Sequence, residues 1–166
     1  MRKLIVTSVA LCAAALATQA IAQAPPAPAA APPPAYGEMI NLEQAKKAAA
    51  AAQEFAAKNG WAMAISVAAP SGDLVYFQKM DNTQFASIAI SQHKARAAAT
   101  YRRETKLFEG AIQGGFVYLF TLDDMMASRG GVPLIEGGKL IGAIGVSGGN
   151  GSQDEVVAKA GAALIK

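Results

Sequence analysis

The chain has 166 residues, with 15 Lys and Arg against 12 Asp and Glu, one histidine and one cysteine; this is long enough for one domain with a sizeable core. The small excess of positive charge is largely that of Arg2 and Lys3, and no strongly basic composition marks a nucleic-acid binder. Cys12 is the only cysteine, which excludes a disulfide framework, an iron–sulfur cluster, a cysteine zinc site and, once residues 1–22 are removed, a thiol enzyme.

Arg2 and Lys3 precede an apolar run from Leu4 to Leu16, followed by Ala20-Ile21-Ala22. This is the pattern of a secretory signal peptide cut after Ala22, and the run is short for a membrane span. The sequence therefore predicts a periplasmic or secreted protein with no transmembrane segment after cleavage. Leu11 stands before Cys12, where a lipoprotein signal needs a small residue. Residues 23–38 are rich in Ala and Pro, favour extended polyproline conformations and read as a tether. The folded domain is expected over 39–166.

Asn41, with Gln44 three residues on, is a capping box for an alanine-rich helix from Leu42 to Lys58, ended by Asn59-Gly60. Trp61 to Ala69 reads as a strand, Pro70-Ser71-Gly72-Asp73 as a turn and Leu74 to Lys79 as the return strand. Phe85 to Thr105 has no Gly or Pro and predicts one long helix. Phe108 to Phe120 reads as irregular and Thr121 to Met126 as a short helical turn. Gly137-Gly138 separates two apolar runs as a two-residue hairpin turn. Leu140 to Val146 is apolar or small throughout and predicts a strand covered on both faces. Ser152 with Glu155 predicts a capped last helix, with Val156, Val157, Ala160 and Leu164 on its buried face. Strands thus come as consecutive hairpins rather than alternating singly with helices, which predicts an α+β domain with an antiparallel sheet and helices packed on it.

The chain resembles the GlcG/HbpS family, the haem-degrading family related to the C-terminal domain of PduO proteins. The resemblance rests on Val75 to Asp81, on Lys94-Ala95-Arg96-Ala97-Ala98-Ala99 with Tyr101-Arg102-Arg103-Glu104-Thr105, on Gly130 to Leu134, on Ile141 to Gly148, and on Gln153-Asp154-Glu155. Their order, more than any one of them, is specific. Ala69-Pro70 stands where members often carry an acidic residue near the first turn. The resemblance implies a profilin-like antiparallel sheet with helices on its faces, a homo-oligomer, and haem or another small molecule as the partner. It leaves open whether haem is stored, sensed or degraded, and which residue binds its iron.

His93 is the one histidine, and imidazole is a common haem iron ligand. It lies one helical turn from Ala89 and from Ala97, which leaves room for a flat macrocycle. Lys94, Arg96, Arg102, Arg103 and Lys106 make this helix and its end densely positive, and arginine suits haem propionates. Arg96 and Arg103, seven residues apart, share a face and are the preferred pair. Tyr101 lies one turn from Ala97 and two from His93; it reads as a ligand contact or as core. Read instead as a solvated surface, the basic residues are charges placed favourably at a helix C-terminus. Tyr76, Tyr118 and the methionines at 63, 80, 125 and 126 are axial ligands in principle, but core filling is the plainer role for methionine. Gly148-Gly149-Asn150-Gly151 is neither a P-loop nor a dinucleotide fingerprint and reads as a strand-to-helix turn. Asp123-Asp124 and Asp154-Glu155 are adjacent pairs whose members diverge on a helix, so neither makes a catalytic dyad. The competing reading is a cofactor-independent small-molecule enzyme, or an accessory protein, with a pocket at an oligomer interface.

Overall fold

The computed structural model describes residues 31–166; the signal peptide expected over 1–22 and the first part of the expected tether lie outside them. Four strands form one antiparallel sheet: β1 (Ala64–Ala68), β2 (Leu74–Lys79), β3 (Gly131–Glu136) and β4 (Lys139–Ser147), in the order β2-β1-β4-β3. Helices α1 (Leu42–Lys58) and α4 (Gly151–Ala162) cover one face, and α2 (Ala86–Thr100) covers the other. Helix α3 (Thr105–Gln113) and a 3₁₀ turn (Val117–Thr121) follow α2 at the β3 side. This is the α+β architecture expected from the hairpin order. Among the described residues no helix is long and apolar enough to cross a membrane.

The two sheet faces are built differently. Ile65, Val67, Ile144, Val146, Val132 and Leu134 form a large-residue core with the alanine stripe of α1 and with Val157 and Ala158 of α4. Alternate positions, Ser66 on β1 and Gly145 and Ser147 on β4, face α2, because side chains alternate along a strand. These residues are small, and so are their neighbours on α2. Ser66 shares a hydrogen bond with Ser91 (2.8 Å), and the Ser147 hydroxyl donates to that of Ser87 (3.0 Å). A Cβ on Gly145 would collide with the Ser91 carbonyl and the Ala95 backbone, so α2 lies almost backbone to backbone on β4. Gly137 and Gly138 both take positive φ, 54° and 76°, as the predicted hairpin turn requires.

Several expectations are corrected. The helix over 85–105 stops at Thr100, and Arg102 takes φ 55°. Its guanidinium stacks on the Tyr36 ring (5.0 Å) and donates to the Pro34 carbonyl, while Tyr101 packs edge-on against Phe108. These tertiary contacts break a segment with good helix propensity and start α3 where irregular chain was expected. The helical turn expected over 121–126 is instead the 3₁₀ turn just before it, followed by a turn in which Asp124 takes φ 56°. Helix α4 is capped by Asn150 with Gln153, not by Ser152 with Glu155. Its buried side is accordingly Asp154, Val157, Ala158 and Gly161, whereas Val156 and Leu164 are exposed. The last part of the expected tether is held by the sheet: the Leu140 amide donates to Ala35 O, and the Gly37 amide to Leu140 O.

Candidate functional site

Consecutive residues on a helix point about 100° apart, so His93 and Lys94 cannot share a surroundings. His93 and Arg96 are exposed on the outer side of α2, whereas Lys94 is only 1% exposed. The Lys94 ammonium donates to Asp154 Oδ2 at 2.7 Å and to the Val146 carbonyl at 3.0 Å. Asp154 Oδ1 accepts from the Gly149 amide at 3.0 Å. Burial pushes the Asp154 carboxyl up, against the Lys94 ammonium and the Gly149 and Gly148 amides, which pull it down. The expectation that Lys94 contacts a ligand is therefore corrected: its charge is already used inside, joining α2 to α4 and β4.

Two adjoining depressions of about 220 and 240 Å³ open on the outer side of α2. Both are lined by His93, Arg96 and Asp124; Ala68, Gly72, Leu74 and Gln92 complete the first, and Met125 the second. The β1–β2 turn forms one wall. Gly72 is buried with φ 90°, and a Cβ there would sit 2.9 Å from the Arg96 side chain; lacking one, the turn lies directly on the arginine stem. The Arg96 guanidinium is 3.8 Å from Asp124, with both side chains about half exposed. Such a pair is weak, so Arg96 can exchange Asp124 for a carboxylate on a ligand.

Arg103 lies elsewhere. Its Nε donates to the Tyr101 carbonyl at 3.1 Å, and its side chain borders a separate hollow with Leu107, Phe116 and Tyr118. Of the preferred pair, then, Arg96 shares a depression with His93 and Arg103 does not. Tyr101 is half-buried; its hydroxyl donates to the Asp123 carbonyl, and its ring packs on Phe108. It holds the Asp123–Asp124 turn against the end of α2. Lys106 is taken up by Glu155 at 3.0 Å. Gln92, Asp124, Gly72 and Leu74 were not predicted. They come from three separated segments, and only the positive φ demanded of a turn glycine was readable locally.

Two amides of the glycine loop over 148–151 are already used within the fold. The Gly149 amide is bonded to Asp154 and the Asn150 amide to Gln153. Asp154 and Glu155 diverge as expected, and Glu155 gathers Lys106, Lys159 (2.7 Å) and Arg129 (3.5 Å). Burial pushes Glu155 up, but the lysines overcome it and hold its carboxyl below the usual range. Arg129 likewise holds Glu109 down, through a bond of 2.8 Å. This network joins α3 to α4. Among the described residues no three His, Cys, Asp or Glu side chains are grouped to hold a metal ion.

A four-stranded antiparallel sheet with α1 and α4 on one face and α2 on the other defines an α+β domain. The chain belongs to the HbpS-like family of haem-degrading proteins, whose pattern matches residues 40–163. Protein GlcG of Escherichia coli K12 is 42% identical over 109 residues, 66% of this chain and 81% of GlcG. A 15.0 kDa protein of Citrobacter freundii, from the dhaT–dhaS intergenic region, is 36% identical over 72% of this chain and 87% of its own. Among solved structures, a double mutant of HbpS from Streptomyces reticuli superposes with a TM-score of 0.73 at 30% identity, covering 84% of this chain and 99% of HbpS. ORFY of Klebsiella pneumoniae superposes with a TM-score of 0.74 at 30% identity, over 78% of this chain and 92% of ORFY.

Proposed function

We propose that this protein binds haem, or a closely related tetrapyrrole, on the outer side of α2, with His93 as the iron ligand and Arg96 at a propionate. The observation that carries this reading is the pairing of His93 and Arg96 in one exposed depression of a chain that belongs to a haem-degrading family. The donor set suits the group. Imidazole is a common iron ligand, guanidinium matches a carboxylate, and half-exposed Leu74 offers apolar contact. Haem iron would supply redox and dioxygen chemistry when bound; His93 would hold the iron and Arg96 a propionate.

Both depressions open to solvent on the outer side of α2, so a bound macrocycle would keep one side uncovered, which a neighbouring copy in a homo-oligomer would cover. Residues 1–22 support export, and we place the mature protein in the periplasm or outside the cell. Storage, sensing and degradation would all begin with this binding step.

Titration of the purified protein with hemin, followed by absorbance, tests the proposal. A shifted Soret band saturating at one haem per site is expected, and its absence at micromolar hemin overturns the reading. Arg96→Ala should weaken binding about 10-fold, the worth of one charge-assisted hydrogen bond. Cell fractionation tests the location.

A further inference from the structure

The adjoining depressions on the outer side of α2 already hold a carboxylate, and it is the protein's own. Asp124 lines both of them with His93 and Arg96. Its Oδ1 stands 3.8 Å from the Arg96 guanidinium. That is close enough to attract, but a hydrogen bond from N–H to O needs about 2.7–3.2 Å. Asp124 sits on a turn, with φ 56°, and the Tyr101 hydroxyl anchors that turn one residue earlier by donating to the Asp123 carbonyl. The arginine is steadied at its stem, where Gly72 lies so close that a Cβ would come within 2.9 Å of Arg96 Cγ.

Arg96 is therefore paired without being bonded. Among the described residues its guanidinium, the Gln92 amide and the His93 ring make no hydrogen bond within the fold. All three line the first depression. A guanidinium meets a carboxylate best through two parallel N–H bonds of about 2.7–2.9 Å. A carboxylate free of the chain can take that position, whereas Asp124 on its turn stops short of it. A few converging polar groups of this kind are what fixes a small molecule in a site.

We propose that this depression also takes a small free carboxylate, which displaces Asp124 and forms the paired bonds with Arg96. Asp124 is then an internal competitor for the arginine. Haem would use the same arginine for a propionate, so such a molecule competes with haem. That competition rests on the haem reading above; the carboxylate seat does not.

Titration of the full chain, without haem, with sodium malonate tests the seat, followed by the side-chain NMR signals of Arg96 Nε and Gln92 Nε2. Malonamide is the neutral counterpart, and sodium chloride is added at the same ionic strength. The variants are Arg96→Gln, Asp124→Asn and, as an exposed arginine outside the depression, Arg103→Gln; circular dichroism confirms that each is folded. Malonate should move both signals saturably, and malonamide and chloride should not. Arg96→Gln should abolish the response of Gln92, and Arg103→Gln should leave it unchanged. Asp124→Asn should tighten binding by about two- to fivefold, the worth of one exposed ion pair. No saturable response, one that chloride reproduces, or one that survives Arg96→Gln overturns the seat. Equal or weaker binding by Asp124→Asn overturns the displacement, because an ion pair that merely positions Arg96 would lose affinity when broken. Hemin titration with and without saturating malonate separates the two readings. Malonate binding by a protein that never binds hemin leaves the seat standing and removes the haem reading. Hemin binding by a protein indifferent to malonate does the reverse.

Discussion

The two sides of α2 share fifteen residues and little else. The inner side carries Ser87, Ser91, Lys94, Ala95 and Ala98, all buried, and meets a sheet face of glycine, serine and alanine. Every polar group there is paired: hydroxyl to hydroxyl, and ammonium to carboxylate. The outer side carries Ala89, His93 and Arg96 in the open, with one weak ion pair. A helix pressed so closely onto a sheet has no freedom to roll. The inner contacts thus fix where His93 and Arg96 point, and the outer residues can change without unfolding the domain.

Breaking the inner side should have the largest effect. Lys94→Met leaves Asp154 buried without its cation and should destabilise the domain by about 3–5 kcal/mol, read as a fall in denaturant midpoint. Adding Asp154→Leu should restore much of that loss, because an apolar pair of similar size replaces the ion pair. Gly145→Ala comes next. Its new methyl has only α2 backbone to displace, and overpacking of this kind costs about 1–3 kcal/mol, seen as a lower Tm.

Acid should act more gently, and on α3 rather than on α2. Glu109 and Glu155 are held below the ordinary glutamate range. Their contribution is fully present above that range, near pH 4.3, and is lost as pH falls through their lowered values, because the unfolded chain binds protons that the folded one refuses. Tm should therefore drop between about pH 5 and pH 3, and Glu109→Gln should flatten that drop. The smallest effect belongs to the outer side: His93→Ala should change stability by no more than about 0.5 kcal/mol. A large loss there would erase the distinction between the two sides.

The sequence shows these differences unevenly. Signals confined to a few residues are accurate: the Asn41–Gln44 box, the whole of α1, the Gly137-Gly138 turn and the doubly covered β4 are all found as read. The Ser152–Glu155 spacing, equally local, misplaces the last cap: the helix already begins at Gly151, and Asn150 with Gln153 caps it. The break at Arg102 was not legible, since it depends on Tyr36 and Phe108 and not on local propensity. Lys94 reads as one more surface charge in a basic run. Its partner lies 60 residues away on α4, and no local pattern marks it. His93 and Arg96 were each legible as candidates, but that they share a depression, with walls at Gly72, Leu74 and Asp124, needed the fold.

The central claim is that the outer side of α2 holds haem through His93, and a parallel hemin titration of the native protein and His93→Ala tests it most directly. The native protein should give a saturable Soret shift, and the variant should lose the spectrum of an imidazole-bound iron and regain it on adding free imidazole. An unchanged spectrum in His93→Ala would contradict the assignment of the ligand, and no haem binding by either protein would contradict the site itself.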